Sequence, residues 1–245
     1  MSDFDYSGKR VLIVGGSSGI GNGMAHAFRE HGAEVHVWGT RANASDYDGE
    51  EGSNLEGLHY AGVNVSDADA LEAYAPPFDG LDVLILCQGT VQYRRAEFDK
   101  PGWDAVMDVN IHSVMQCARK FQGLLSDSKG SIIIVSSVAG FKSAKGNPAY
   151  AASKAAAVSL TKTLGEAWVT EGIRVNGIAP GLVDTKLTKV TTEHPERLEA
   201  SLRNIPLHRM GTPADMAGPA LFLASPLAEY IVGQTIIVDG GLILS

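Results

Sequence analysis

Short apolar, β-branched runs alternate with longer amphipathic segments from one end of the chain to the other, and this alternation restricts the fold more than any other feature. A run with no polar alternation, such as Ile132-Ile133-Ile134-Val135, reads as a strand buried on both faces. Parallel strands in turn need helical crossovers. The predicted strands are Arg10–Gly15, Glu34–Trp38, Leu58–Val63, Leu81–Leu86, Ser131–Ser136, Arg174–Ile178 and Thr235–Val238. The predicted helices are Ile20–His31, Asp67–Ala75, Ala96–Asp108, Ile111–Leu125, Ala149–Glu171 and Pro213–Leu223, the last with Thr212 as N-cap and Pro213 in its first position. The expected fold is α/β, a doubly wound parallel sheet of about seven strands with helices on both faces, in a single domain over residues 1–245. Arg41–Glu56, rich in Gly, Ser, Asn and Asp, is expected to be a loop, and 186–209 a possible lid over a substrate.

A net charge of -8 would repel a nucleic-acid backbone, so a small-molecule partner is expected. No apolar stretch is long enough to span a bilayer, and the acidic start Met1-Ser2-Asp3-Phe4-Asp5-Tyr6 does not resemble a secretory signal, so a cytoplasmic location is expected. Cys87 and Cys117 form no CxxC and read as reduced core residues; the seven histidines show no metal-ligand spacing, and no metal is expected.

The first strand runs through Val14-Gly15-Gly16-Ser17-Ser18-Gly19-Ile20-Gly21 into a helix. Such a turn presents backbone N–H groups to a pyrophosphate, with Ser17, Ser18 and Ile20 alongside. Gly15 permits the tight bend, Gly19 the close approach of phosphates, and Gly21 the packing of helix on strand.

Tyr150 and Lys154 lie four apart in an Ala-rich helical segment, so they share a face. Lowering a phenol from about 10 to near neutrality needs about 4 kcal/mol of preferential phenolate stabilisation, which a neighbouring ammonium can help to provide. Ser137, thirteen residues upstream at the end of a predicted strand, can donate to an oxygen on which charge develops. A Tyr-x-x-x-Lys alone arises by chance in roughly a quarter of such chains; adding the Ser at that spacing reduces this to roughly two per cent.

The glycine turn, Asn110 in Asp108-Val109-Asn110, Ser137, Tyr150, Lys154, Pro180-Gly181, Gly233-Gln234 and Val238-Asp239-Gly240-Gly241 together resemble the short-chain dehydrogenase/reductase family in order and spacing, from Gly8 to Gly241. The resemblance extends to its 3-oxoacyl-carrier-protein reductase-like members. It implies a Rossmann-type fold in which Tyr150 is the proton donor or acceptor, Lys154 holds the nicotinamide ribose, Ser137 orients the carbonyl and Asn110 supports a relay water. It also implies that Val183 and Thr185 contact the carboxamide and that the protein is a homotetramer. The reaction implied is hydride exchange between a nicotinamide cofactor and a carbonyl or secondary alcohol.

Several positions depart from the family pattern. Leu86-Cys87-Gln88-Gly89 stands where Asn-Asn-Ala-Gly is usual, leaving Gly89, and Asn64-Val65 replaces an Asp-Val that meets adenine. An Asn carbonyl can still accept that hydrogen bond. At the end of the second strand Gly39 stands where an acid would hold a ribose 2′-hydroxyl, whereas Thr40 and Arg41 suit a 2′-phosphate. NADP(H) is therefore favoured over NAD(H). Gln92, Tyr93, Arg94, Val138, Phe141, Lys142, Asn147, Leu187 and Val190 are expected around the substrate. A catalytically idle nucleotide-binding sensor on the same fold is the alternative to an enzyme.

Overall fold

The computed structural model describes residues 4–244; Met1–Asp3, the start of the acidic N-terminal stretch, and Ser245 lie outside the described residues. All seven predicted apolar runs are strands: β1 Arg10–Val14, β2 Glu34–Gly39, β3 His59–Gly62, β4 Val83–Leu86, β5 Ser131–Val135, β6 Arg174–Pro180 and β7 Thr235–Val238. They pair in parallel in the order β3-β2-β1-β4-β5-β6-β7. Strand order reverses between β1 and β4, which opens a crevice at their carboxyl ends.

Eight helices accompany the strands among the described residues: α1 Gly19–Glu30, α2 Ala68–Ala73, α3 Lys100–Met107, α4 Ser113–Ser128, α5 Pro148–Trp168, α6 Lys189–Thr192, α7 Pro195–Arg203 and α8 Pro213–Ala224. Because successive strand residues point to opposite faces, β1 feeds two cores. Val11 and Ile13 pack with Met24 and Phe28 of α1 and with Met216 and Ala220 of α8. Leu12 and Val14 belong to the other core, with Cys117 and Phe121 of α4 and Ala157 and Leu164 of α5. At about 25 cal/mol per Å² of apolar surface, burial on both faces is the main force holding the sheet between its helices. At the start of α8, Thr212 and Asp215 form a reciprocal capping box, with the Thr212 hydroxyl accepting from Asp215 N at 3.3 Å and an Asp215 carboxylate oxygen accepting from Thr212 N at 2.7 Å.

The structure corrects the sequence reading in two places. The helices expected at 96–108 and 111–125 are joined: α3 passes into α4 through one π turn, Asp108–His112, and residues 96–98 form a separate 3₁₀ turn. No Gly or Pro occurs between Trp103 and Gln122, so nothing in the chain ends the helix there. The 186–209 segment contains a 3₁₀ turn at Lys186–Thr188 followed by α6 and α7, and the expected 41–56 loop contains one 3₁₀ turn, Ala44–Tyr47. Cys117 is a core residue as expected, but Cys87 is only half-buried and lines the crevice, where desolvation pushes its thiol up to about 11. No helix among the described residues is long and apolar enough to cross a membrane.

Candidate active site

The crevice at the β1–β4 reversal is a groove of about 840 Å³, a volume suited to a cofactor-sized ligand. All the residues expected to contact the cofactor line it: Gly15, Ser17, Ser18, Gly19, Ile20, Gly21, Thr40, Arg41, Asn64, Val65, Gly89, Tyr150, Lys154, Pro180, Gly181, Val183 and Thr185. Ser137 lines it too. They come from the ends of six strands, from the turns beyond them and from the first turns of α1 and α5, so only the packed sheet and helices bring them together.

At one end of the groove, the Ser137 side chain hydrogen-bonds the Tyr150 phenol, and Lys154 Nζ lies 5.7 Å from the centre of the Tyr150 ring. The Lys154 ammonium donates to Val135 O at 2.9 Å. Ser136 Oγ donates to Lys154 O at 2.7 Å, which fastens α5 to the end of β5. Burial pushes the Tyr150 phenol above its ordinary value and outweighs the Ser137 hydrogen bond, while Tyr93, Cys87 and Glu97 add to the rise. The direction is opposite to what the Tyr–Lys spacing alone predicts. Lys154 is itself lowered to about 8 by burial, so desolvation dominates both partners.

Asn110 does not line the groove but sits fully buried behind it. Its Oδ1 accepts from Thr90 N at 2.7 Å, and its Nδ2 donates to Thr90 O at 2.9 Å and to Ser153 Oγ at 3.1 Å. The amide thus clamps the chain after β4 to α5, and the π turn around it aims the side chain inward. A Cβ on Gly89 would stand 3.4 Å from Lys154 Nζ and 3.7 Å from Asn110 Oδ1, which places all three around one point.

At the other end, Gly19 N donates to Gly52 O at 2.8 Å, so the 41–56 loop lies against the glycine turn. The following N–H groups open the first turn of α1, where a helix leaves its donors unpaired internally. Arg41, expected to suit a 2′-phosphate, is paired within the protein. It donates to Asp46 O and to the Glu50 carboxylate, and its guanidinium lies 4.5 Å from the centre of the Tyr47 ring. Tyr47 Oη accepts from Thr40 N at 3.2 Å and fills the space beside Gly39, where a Cβ would meet that oxygen at 2.7 Å. Asn64 Oδ1, expected to face adenine, accepts instead from Ser66 N at 3.2 Å and Ser66 Oγ at 2.8 Å.

The family model described as Enoyl-(Acyl carrier protein) reductase matches residues 14–243. The 3-oxoacyl-[acyl-carrier-protein] reductase FabG of Chlamydia pneumoniae is 35% identical over 251 residues, covering 98% of this chain and 99% of that protein. The chain belongs to the short-chain dehydrogenase/reductase family. It is an oxidoreductase of the kind that exchanges hydride between a nicotinamide cofactor and a carbonyl or alcohol. The 2-dehydro-3-deoxy-D-gluconate 5-dehydrogenase of Pseudoalteromonas atlantica is also 35% identical, over 249 residues and 98% of each chain. Among solved structures, a gluconate 5-dehydrogenase from Burkholderia cenocepacia in complex with NADP and tartrate superposes with a TM-score of 0.89 at 28% identity, covering 99% of this chain and 98% of that one.

The turn of this dehydrogenase/reductase fits a dinucleotide because its backbone comes together as only glycine permits. A Cβ on Gly21 would stand 2.3 Å from Gly15 O, and Gly15 itself has φ +78° with its Cβ position 2.8 Å from Gln88 N. Gly21→Ala is expected to open the turn, to destabilise the fold by about 1–3 kcal/mol and to weaken NADPH binding at least about tenfold. Fluorescence titration and thermal unfolding check this, and wild-type affinity in the variant would refute it.

Tyr47, Glu50, Glu97 and Lys186 escape a reading by motif. Glu50 receives Arg41 from β2's end and Lys186 from beyond β6, a contact between residues 136 apart in the chain. A second cluster, Glu34, His36 and His59, lies at the opposite end of the strands, with the histidine rings stacked at 4.7 Å. Arg10 donates to both oxygens of Glu34 at 3.1 Å, so a guanidinium already occupies the carboxylate, and the cluster reads as a packed ion-pair network. Of the expected substrate neighbours, Gln92 and Leu187 line the groove, Tyr93 Oη donates to Leu187 O, and Asn147 Nδ2 donates to Gln92 O. Val138 is core, and Arg94 is exposed.

Proposed function

We propose that the chain is an NADP(H)-dependent reductase of small carbonyl compounds, or in reverse a dehydrogenase of secondary alcohols. The convergence of Ser137, Tyr150 and Lys154 at one end of the dinucleotide-sized groove carries this reading. The glycine turn and the first N–H groups of α1 would hold the pyrophosphate, Lys154 the nicotinamide ribose, and Val183 and Thr185 the carboxamide edge. The nicotinamide, when bound, supplies or accepts the hydride. Ser137 donates to the substrate oxygen. Tyr150, kept protonated at neutral pH by its buried setting, passes its phenolic proton to that oxygen as negative charge develops there. Asn110 fixes Thr90 and Ser153 around Lys154 and supports proton return from solvent.

Arg41 is the proposed partner of the 2′-phosphate, which would take the place now held by the Glu50 carboxylate. Charge-assisted bonds of about 1.5–3 kcal/mol correspond to a loss of about ten- to a hundredfold on Arg41→Ala. NADPH affinity should fall by that factor while NADH affinity stays within about twofold. Equal losses for both cofactors in a fluorescence titration would count against the assignment.

The whole chain works as one unit, with 186–209 as the lid, in a cytoplasmic homo-oligomer, on the family's pattern a tetramer. Tyr93 bonding to Leu187 supports the lid. The enzyme reading is tested by following NADPH oxidation with acetoacetyl-CoA, 5-keto-D-gluconate and a panel of simple ketones. Turnover of at least one is expected; NADPH binding without any turnover would favour the idle-sensor alternative.

A further inference from the structure

Glu97 is fully buried, and among the described residues no Lys or Arg forms an ion pair with it. Its carboxylate is held by N–H donors instead: Oε1 accepts from Gln92 N at 3.0 Å and from Asn147 Nδ2 at 3.2 Å, and Oε2 accepts from Tyr150 N at 2.9 Å. The positive end of the α5 dipole lies at the same place, because Tyr150 is in the first turn of that helix. A buried carboxylate without such donors would protonate or leave the interior. Here three N–H donors and a helix start meet the carboxylate oxygens.

The chain leading to Glu97 is unusual. Arg94 and Arg95, neither of them glycine, both adopt the left-handed region at φ 58° and 64° immediately before the 3₁₀ turn that carries Glu97. This sparsely populated backbone is maintained where the segment after β4 must turn back under α5. Gln92, one of the three anchors, lines the groove, and Asn147 bonds both Gln92 O and Glu97. One carboxylate therefore ties the groove wall to the residue that carries the phenol.

On the catalytic reading given above, we propose that Glu97 is the positioning residue of Tyr150: it locks the first turn of α5 against the 89–97 segment and sets a carboxylate behind the phenol. Ser137 faces that phenol from the end of β5, Cys87 from the end of β4, Tyr93 and Glu97 from the segment before α3, and Lys154 from α5 itself. Ser137 and Lys154 favour the phenolate, whereas Glu97 opposes it, so the carboxylate helps to keep Tyr150 in its proton-donating form.

Two variants separate placement from charge. Glu97→Gln removes the charge and turns one amide N–H towards a donor it cannot satisfy; Glu97→Asp keeps the charge but shortens the reach. Tyr150 is titrated through its near-ultraviolet phenolate absorbance, taken as the difference between each protein and its Tyr150→Phe counterpart, and kcat is measured for NADPH with the carbonyl probe that turns over. In Glu97→Gln the phenolate midpoint should fall below that of the wild type and kcat by about tenfold, with NADPH affinity within about twofold. In Glu97→Asp kcat should fall with the midpoint unmoved.

Wild-type midpoint and kcat in both variants would overturn the proposal. If circular dichroism shows Glu97→Gln unfolded, Asn147→Ala, which deletes one donor, should still lower kcat, and wild-type kcat there would also overturn it. Turnover retained in Tyr150→Phe would fell the catalytic reading and this inference together. A dead Tyr150→Phe beside wild-type Glu97 variants would fell this inference alone.

Discussion

Tyr150→Phe is expected to reduce kcat by about 10²–10⁴-fold, the contribution of a positioned general acid. Only an oxygen is removed from a half-buried ring at the groove wall, so the fold has little reason to change: Ser137 loses a partner, but its Oγ still accepts from Ala139 N at 3.1 Å. NADPH affinity should stay within about threefold, because the group assigned to the ribose is the Lys154 ammonium, which the substitution leaves in place. The pH dependence should change as well. With the phenol pushed up by burial, reduction by the wild type should hold through neutral pH and fall on the alkaline side as the proton is lost, whereas the variant's residual rate should lack that limb. Steady-state kinetics over a pH series checks this, and turnover within about tenfold of wild type would remove Tyr150 from the chemistry.

Lys154→Met should separate activity from stability. Loss of the ammonium is expected to lower kcat by about 10²–10³-fold and to weaken cofactor binding. Burial holds Lys154 at about 8, against 10.5 in an exposed lysine. Between those values the unfolded chain binds more protons than the folded one, so this group's contribution rises with pH across that window and its penalty is complete below about 8. The difference corresponds to a penalty of about 3 kcal/mol at neutral pH. Methionine removes it but leaves Val135 O without the 2.9 Å ammonium bond, which costs about 1–3 kcal/mol. The two terms nearly cancel, so Tm at pH 7 should be unchanged or slightly raised, and any advantage of the variant should shrink towards pH 10. A Tm lower by more than about 5 °C would show that Lys154 supports the fold.

Much of the architecture was legible because it follows from local rules. A run such as Ile132–Val135 has one way to bury every side chain, and β5 formed there. The break expected between two helices near Asn110 is instead a π turn within one continuous helix, which no Gly or Pro marks and whose Asn110 amide bonds Thr90, twenty residues away. The groove contacts of the glycine turn were likewise legible, since a Cβ at Gly21 collides with a backbone atom only six residues back.

Motif and spacing determined the strands, the glycine turn and the Ser137, Tyr150 and Lys154 set, because each depends on residues close in sequence or on a fixed offset along one element. The tertiary structure alone decided the electrostatics. Whether Lys154 lowers Tyr150 or burial raises it depends on how much water both have lost, and the Glu50 and Glu97 carboxylates reach their partners across 9 to 136 and 5 to 53 residues. Desolvation and long-range charge belong to the packed sheet and its helices, so no offset in the chain encodes them.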